Sequence, residues 1–448
     1  MRGMRIDPLI QKAVYMDIDR ALTLTGISQA PDLWRDSWEQ AQLAFPCVMS
    51  GLIGEDIITQ ATALDLPSGF IDGLRDAVAF IRNNEGLYRL AWLWHYLIFE
   101  YGGNEPIWYP VGRKKRQLRT RMLWEIPKWP QPTIMPEALS GMFIAIIVFT
   151  GVPRMLAEHS RLGIPYAISL DTLSDIAIWA DDYRAKNGKW GFENITWLLN
   201  HLTGSLFRLG RLEFIPSIFT GNYIAFKNPQ SAEVIAFAGE DIRFRSDGHV
   251  DGTNGIADTE SGWTSKIERV DGRLTGSPVT SDGIAIKDQT TIMMDEWQEV
   301  LQNDCGILDV HIPAGARLEY SACIESFRMA NEFFPKYFPE HSYSAFFCDS
   351  WLLDHALGII LTPDSNIVRF LKEFYTLPSL SDARSTYERV FGNQQVDITK
   401  APRDSSLRRA VVEHVLAGNQ VHSALGFIPA DEIGAAHNYF TAKQPETQ

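Results

Sequence analysis

The stretch Gly306-Ile307-Leu308-Asp309-Val310-His311-Ile312-Pro313-Ala314-Gly315 decides how this 448-residue chain is read. Its first seven residues are mostly apolar and short in run, the pattern of a buried strand. Pro313-Ala314-Gly315 makes a turn. From Ser321 to Phe334, the residues Cys323, Ile324, Phe327, Ala330, Phe333 and Phe334 keep helical spacing, and Pro335 is the expected stop. Tyr343-Ser344-Ala345-Phe346-Phe347-Cys348 then reads as a second strand, leading into Ser350-Trp351-Leu352-Leu353. Strand, helix, strand at this connection length predicts a βαβ unit with parallel pairing, and hence an α/β domain.

Working outward, Ile367 to Phe374 predicts a further helix, with Asp364, Ser365 or Asn366 available as its cap. On the other side, Arg211–Pro216, Tyr223–Lys227, Ala232–Phe237 and Ile242–Arg245 read as short strands. Residues 247–285, rich in Gly, Asp, Ser and Thr, read as turns joining short strands. Before about residue 200 the period is helical. Leu87 to Phe99 is apolar nearly all round, the mark of a buried helix that Gly102-Gly103 ends. A Trp- and Pro-rich loop follows (Trp108, Trp124 and Trp129, with Pro110, Pro127, Pro130 and Pro132), then an apolar helix from about Glu137 to Phe149. Ser169 to Tyr183 predicts a helix starting at Asp171-Thr172, and Trp197 begins another that runs towards Leu209. The expected organisation is a helical domain over 1–205 and an α/β domain over 206–440.

Composition narrows the function classes. Hydrophobic residues are 45% and charged residues 21%, the balance of a folded globular chain, with only Thr441–Gln448 reading as a loose tail. The formal charge of −14 opposes general nucleic-acid binding, which needs clustered cations. The one basic run, Arg113-Lys114-Lys115-Arg116 with Arg119 and Arg121, reads as a solvated face ahead of a phosphate patch. Cys47, Cys305, Cys323 and Cys348 are widely spaced, which fits a reducing, cytoplasmic setting and opposes a cysteine-rich metal site. Asp7 and Pro8 interrupt any secretory apolar run at the N-terminus. Met142–Phe149 is well short of the roughly 20 residues that span a bilayer, so no membrane partner is expected. Neither a metal motif nor a Walker motif occurs, and the composition leaves the oligomeric state open.

Several segments together resemble a known family. They are Leu209-Gly210-Arg211-Leu212-Glu213-Phe214, His311-Ile312-Pro313-Ala314-Gly315, Ser326-Phe327, Phe333-Phe334 and Tyr337-Phe338-Pro339. Phe347–Leu353, Pro363–Ile367 and Ser405–Ala410 continue the match. The chain, over roughly residues 85–428, is similar to bacterial acyltransferase domain-containing proteins with an N-terminal helical domain and a GNAT-like C-terminal domain. That resemblance implies a mixed sheet with flanking helices, acyl-coenzyme A as cosubstrate and a small amine-bearing acceptor. It places pyrophosphate on backbone N–H groups at the turn around Gly315, Ala316 and Arg317, where a helix dipole favours anions. The usual fingerprint there is a basic residue or Gln, two residues, Gly, one residue, then Gly or Ala. Here the central Gly315 is present, but Ile312 is apolar, Arg317 holds the last position, and Pro313 removes a donor.

Catalysis on such a fold needs a base for the amine proton and an acid for the leaving thiolate. His311, ending its strand, reads either as that group or as a core histidine bonded to backbone. Cys348 and Ser350 end the next strand and are expected near the same cleft. Cys348 is then either a partner of His311 in a covalent acyl-enzyme or a small buried hydrophobe. Glu325 reads as solvated and Trp351 as core, while Arg208 and Arg211 bind an anion or pair with carboxylates. The alternative to an enzyme is a non-catalytic ligand-binding protein with a degenerate GNAT-like domain; a hydrolase working through Cys348 and His311 is a third reading.

Overall fold

The computed structural model describes residues 16–45, 52–100, 124–193 and 195–433. The basic run at 113–121, the N-terminal segment, Cys47, Gly102-Gly103, Trp108, Pro110 and the C-terminal tail lie outside the described residues. The chain divides into two compact units, Met1–Arg208 and Leu209–Gln448.

The first unit is helical: α1 (Ile18–Thr25), α2 (Asp32–Leu43), α3 (Glu55–Ala63), α4 (Ser68–Arg82), α5 (Glu85–His95), α6 (Met142–Arg161), α7 (Tyr166–Leu173), α8 (Asp175–Asn187) and α9 (Ile195–Leu202). Helix α5 starts on Asn84, whose side chain accepts from Leu87 N–H, and continues as a π-helical turn over Tyr96–Glu100. Its Trp94 lies 4.9 Å from Trp129 and 5.9 Å from Trp34, both edge-on, so one tryptophan of the Pro-rich loop belongs to this core. Helix α6 is longer than the apolar run predicts. Gly151 does not end it; a Cβ there would meet the Phe99 ring at 2.4 Å, so glycine serves close packing. By length and composition α6 is apolar enough to cross a membrane, yet Met142–Val152 are all buried inside this unit. The expected single helix over Ser169–Tyr183 is two, divided at Ser174, and α9 ends at Leu202 rather than continuing.

Strand β1 (Phe207–Leu209) lies at the boundary, and the second unit carries β2 (Leu212–Ile218), β3 (Tyr223–Lys227), β4 (Val234–Ala238), β5 (Arg243–Phe244), β6 (Trp263–Thr264), β7 (Ile267–Val270), β8 (Arg273–Gly276), β9 (Pro278–Val279), β10 (Thr290–Met293), β11 (Gln298–Leu301), β12 (Gly306–His311), β13 (Ala345–Ser350), β14 (Tyr375–Leu377) and β15 (Ala424–Pro429). Its helices are α10 (Tyr320–Tyr337), α11 (His355–Ile360), α12 (Asn366–Leu371), α13 (Arg384–Phe391) and α14 (Ser406–Leu416). The main sheet is mixed and six-stranded, ordered β1-β2-β12-β13-β15-β14, with β12 and β13 parallel. The fold is therefore a helix-rich N-terminal region followed by a mixed sheet with flanking helices, as the resemblance implies, and it contains the parallel β12–β13 pair that the βαβ reading predicts. Ser365 proves to be the cap of α12, accepting from Val368 N–H. Helix α10 runs through Pro335, since a proline near a C-terminus costs one ladder bond only.

Phe214 on β2 anchors α10 to the sheet. It is fully buried, with Phe327, Phe346 and Phe334 edge-on at 5.9, 5.8 and 6.4 Å. Phe214→Ala should lower unfolding free energy by about 3–5 kcal/mol. Urea unfolding followed at the tryptophans measures it, and a loss under about 1 kcal/mol would contradict this packing.

Candidate active site

The turn between β12 and α10 is built from three constraints. Pro313 is buried and closes the strand, and Gly315 sits at φ +98°, a region that L side chains rarely adopt. Helix α10 begins with no side-chain bond from its own cap residue, Glu319. Asn366 at the start of α12 accepts from Tyr320 N–H (3.3 Å) and donates to Glu319 (3.1 Å) instead. Gly315, Ala316 and Arg317 lie together here, all exposed. Arg211 does not face solvent: it donates to the carbonyls of Ala316 and Arg317. Arg208, read with it as an anion binder, instead donates to Ser174 Oγ (2.9 Å) within the helical unit.

Beside the turn, the parallel strands part. Their ladder pairs Ile307 with Ala345, Leu308 with Phe346 and Asp309 with Phe347, and ends there. Strand β12 runs on to His311 and β13 to Ser350, leaving a notch between their C-terminal ends.

His311 stands on one face of this notch with Asp309. Burial, the largest single influence, pushes the imidazole pKa down, and Asp309, with Oδ2 at 3.4 Å from Nε2, is the main influence pushing it up. The Glu213 and Asp349 charges add to the effect, and the net shift is upward. Asp349 is itself shifted upward, by burial and by the Asp309 charge. Glu213 is opposite His311 across the β2–β12 ladder.

Cys348 does not join this group. The pleat alternates, so with Asp309 level with Phe347, the residues Phe347 and Asp349 share the His311 face while Phe346 and Cys348 share the opposite one. Cys348 is fully buried, and desolvation holds its thiol well above the ordinary cysteine range. Of the two readings open for Cys348, this placement suits the small buried hydrophobe and not the partner of His311 on which the hydrolase reading depends. Ser350 turns back to cap the 3-10 turn Trp351–Leu353, accepting from Leu352 N–H at 3.2 Å. Glu325 is exposed beside Arg328, as expected, and Trp351 packs against the small core around Leu357. In the native protein iodoacetamide should therefore label the partly exposed Cys305 and spare Cys348, and Cys348→Ala should keep wild-type activity. Rapid native labelling of Cys348, read by peptide mass, would contradict this.

Sequence reasoning missed a cavity of about 770 Å³ at the same end of the sheet. Leu353, Asp354 and His355, directly after β13, line it with His422 and Ala424 at the start of β15. The Gly- and Asp-rich stretch supplies Arg245, Asp247, His249, Asp258 and Asp282. Asp354 is buried, accepts from His422 N–H (2.9 Å) and lies 3.7 Å from the same ring. His422 and His249 meet edge-on at 5.0 Å. Burial lowers the His422 pKa, against the raising effect of Asp354. Arg245 is answered by Asp247 at 2.6 Å. Hydrogen bonds from Ser246 and Ser261 hold the Asp258 carboxyl far below its ordinary value.

The helical unit holds a second imidazole–carboxylate pair. Asp175 is buried and accepts from the indole N–H groups of Trp179 (2.8 Å) and Trp197 (3.0 Å). His201 Nε2 lies 3.5 Å from Asp175 Oδ2. Nothing in the local sequence pairs these residues; the break at Ser174 does.

Two family models match: an N-acyltransferase N-terminal domain over residues 97–204 and a GNAT-like C-terminal domain over residues 206–428. A comparison with curated proteins returned no match. Among solved structures, the chain is similar to a mutant acyltransferase in complex with octanoyl-CoA, at 21% identity and TM-score 0.58, covering 92% of this chain and 99% of that one. An acyltransferase in complex with decanoyl-CoA matches at 18% identity and TM-score 0.58, over 92% and 99%. An acyltransferase in complex with decanoyl-CoA and teicoplanin matches at 21% and 0.58, over 93% and 100%. At these identities the likeness establishes the fold. The two domain matches go further: the chain belongs to the acyltransferases that join an N-acyltransferase N-terminal domain to a GNAT-like C-terminal domain.

Proposed function

We propose that this protein is an acyl-coenzyme A-dependent N-acyltransferase acting on a small amine-bearing acceptor. The observation that carries the reading is the notch where β12 and β13 part, set beside the Gly315 turn and the start of α10. Backbone N–H groups at such a turn, aided by the helix dipole, suit a pyrophosphate, and Arg317 adds an exposed cation. The notch suits the narrow pantetheine arm. That similar folds are known in complex with octanoyl-CoA and decanoyl-CoA supports the same ligand class here.

Bound acyl-coenzyme A supplies an activated thioester. The acceptor ammonium first gives one proton to solvent, freeing its lone pair; the amine nitrogen then attacks the thioester carbonyl carbon, the C–S bond breaks, and a second proton leaves nitrogen while the thiolate sulfur gains one. His311 is the proposed base, kept basic and oriented by Asp309. The cavity beyond β13 is the proposed acceptor site. Its lining sets five carboxylates, Asp247, Asp258, Glu260, Asp282 and Asp354, against one guanidinium, Arg245, which Asp247 already pairs. That balance favours a cation, and an amine arrives as ammonium near neutral pH. The free thiols of Cys305, Cys323 and Cys348 fit a cytoplasmic setting.

Release of coenzyme A thiol from octanoyl-coenzyme A, assayed with a panel of primary amines, tests the proposal. Amine-dependent release with formation of the N-octanoyl product is expected. Saturable binding without turnover for any donor or amine would favour the ligand-binding alternative. Turnover that survives His311→Ala but not His201→Ala would move the base to the Asp175–His201 pair.

A further inference from the structure

Strand β2 is preceded by an arginine turned into the protein. Arg211 keeps only 9% of its surface exposed. Its main-chain N–H donates to Ser326 Oγ at 2.8 Å, and Leu212 N–H donates to the same oxygen at 3.3 Å. Ser326 is fully buried on α10 and donates to Ala322 O in turn. Gly210, at φ +70°, makes the tight entry, where a Cβ would meet Ser326 Oγ at 3.0 Å. The root of the arginine is thus tied to the helix whose N-terminal turn its head then grips.

The guanidinium reaches back along α10 to the loop. Nε donates to Arg317 O at 3.0 Å and Nη2 to Ala316 O at 2.9 Å. In a planar trans peptide, the carbonyl of one residue and the N–H of the next point in opposite directions. Pulling the Ala316 and Arg317 carbonyls towards Arg211 therefore turns the N–H groups of Arg317 and Leu318 away from it. Two consecutive planes are set by one rigid fork, which an ammonium, lacking that planar geometry, cannot reproduce.

We propose that Arg211 is a positioning residue for the pyrophosphate of acyl-coenzyme A, holding the Arg317 and Leu318 N–H groups outward as anion donors. The inference rests on the acyl-coenzyme A reading above. It also explains how a turn that has lost a donor at Pro313 still suits an anion: donors later in the turn are aimed instead. Arg211 acts through the turn and need not touch the ligand.

The test compares octanoyl-coenzyme A with octanoyl-pantetheine, which lacks the pyrophosphate, by calorimetric titration of wild type, Arg211→Lys and Arg211→Met. Both variants should bind octanoyl-coenzyme A at least roughly ten-fold more weakly. Octanoyl-pantetheine affinity should stay at the wild-type level, as should kcat at saturating octanoyl-coenzyme A. Unchanged affinity in Arg211→Met, equal loss for both ligands, or full rescue by lysine would each overturn the proposal. Because Arg211→Met risks misfolding, hydrogen exchange of ligand-free Arg211→Lys provides a second reading. Faster exchange confined to 316–319 supports the brace, and unchanged exchange there overturns it. Wild type that binds octanoyl-coenzyme A no better than octanoyl-pantetheine would instead sink the acyl-coenzyme A reading, while the exchange experiment still judges the brace.

Discussion

Replacing His311 by alanine should lower kcat about a hundred-fold or more, while the KM for acyl-coenzyme A stays near wild type. The split is expected because His311 stands beyond the last ladder pair, Asp309–Phe347, and is assigned to the acceptor proton rather than to donor binding. The pH profile supplies the sign. A base must be neutral, so kcat/KM should rise with pH through the His311 pKa, which Asp309, Glu213 and Asp349 together hold above the ordinary value of about 6.5 despite burial. Asp309→Asn removes the main charge favouring imidazolium. The rising limb should then move to lower pH, and the plateau should fall because a weaker base remains. A limb unmoved in Asp309→Asn would detach the profile from His311.

Gly315→Val should weaken acyl-coenzyme A binding at least roughly ten-fold and leave acyl-pantetheine binding unchanged. Gly315 occupies φ +98°, where a β-branched residue carries strain of order 1–3 kcal/mol. The chain either bears that strain or flips the peptide planes that follow, and those planes carry the proposed anion donors. Gly315→Ala should lie between wild type and valine, since its single methyl strains the turn less. Calorimetric titration with both ligands is the measurement. Wild-type affinity for acyl-coenzyme A in Gly315→Val would show that the turn does not hold the pyrophosphate.

The strand, turn and helix from Gly306 to Phe334 were legible because the period changes within a few residues and a glycine marks the change. Helix limits were less legible where proline carries two meanings. Pro153 and Pro335 both sit inside helices, one in a tightly packed helix and one in a final turn where a lost bond costs little. Gly151 lies within the same helix as Pro153 because the Phe99 ring leaves no room for a Cβ there. The choice between the two readings of Cys348 was not legible for a different reason. Parity along a strand sets which face a residue takes, but the register that levels Asp309 with Phe347 is a tertiary fact. The cavity was illegible because five separate stretches of chain meet there, and no one of them carries a motif. Arg211 was visible as a charge but not as a brace, since its partners are backbone carbonyls that no sequence pattern marks.

Every catalytic role proposed above depends on the turn and notch holding acyl-coenzyme A. Calorimetric titration of octanoyl-coenzyme A into the wild-type protein, paired with thermal unfolding at the same concentrations, tests it most directly. A saturable, single-site isotherm is expected, with a melting temperature that climbs with ligand, as binding to the folded state alone requires. No heat and no shift at millimolar ligand would contradict it.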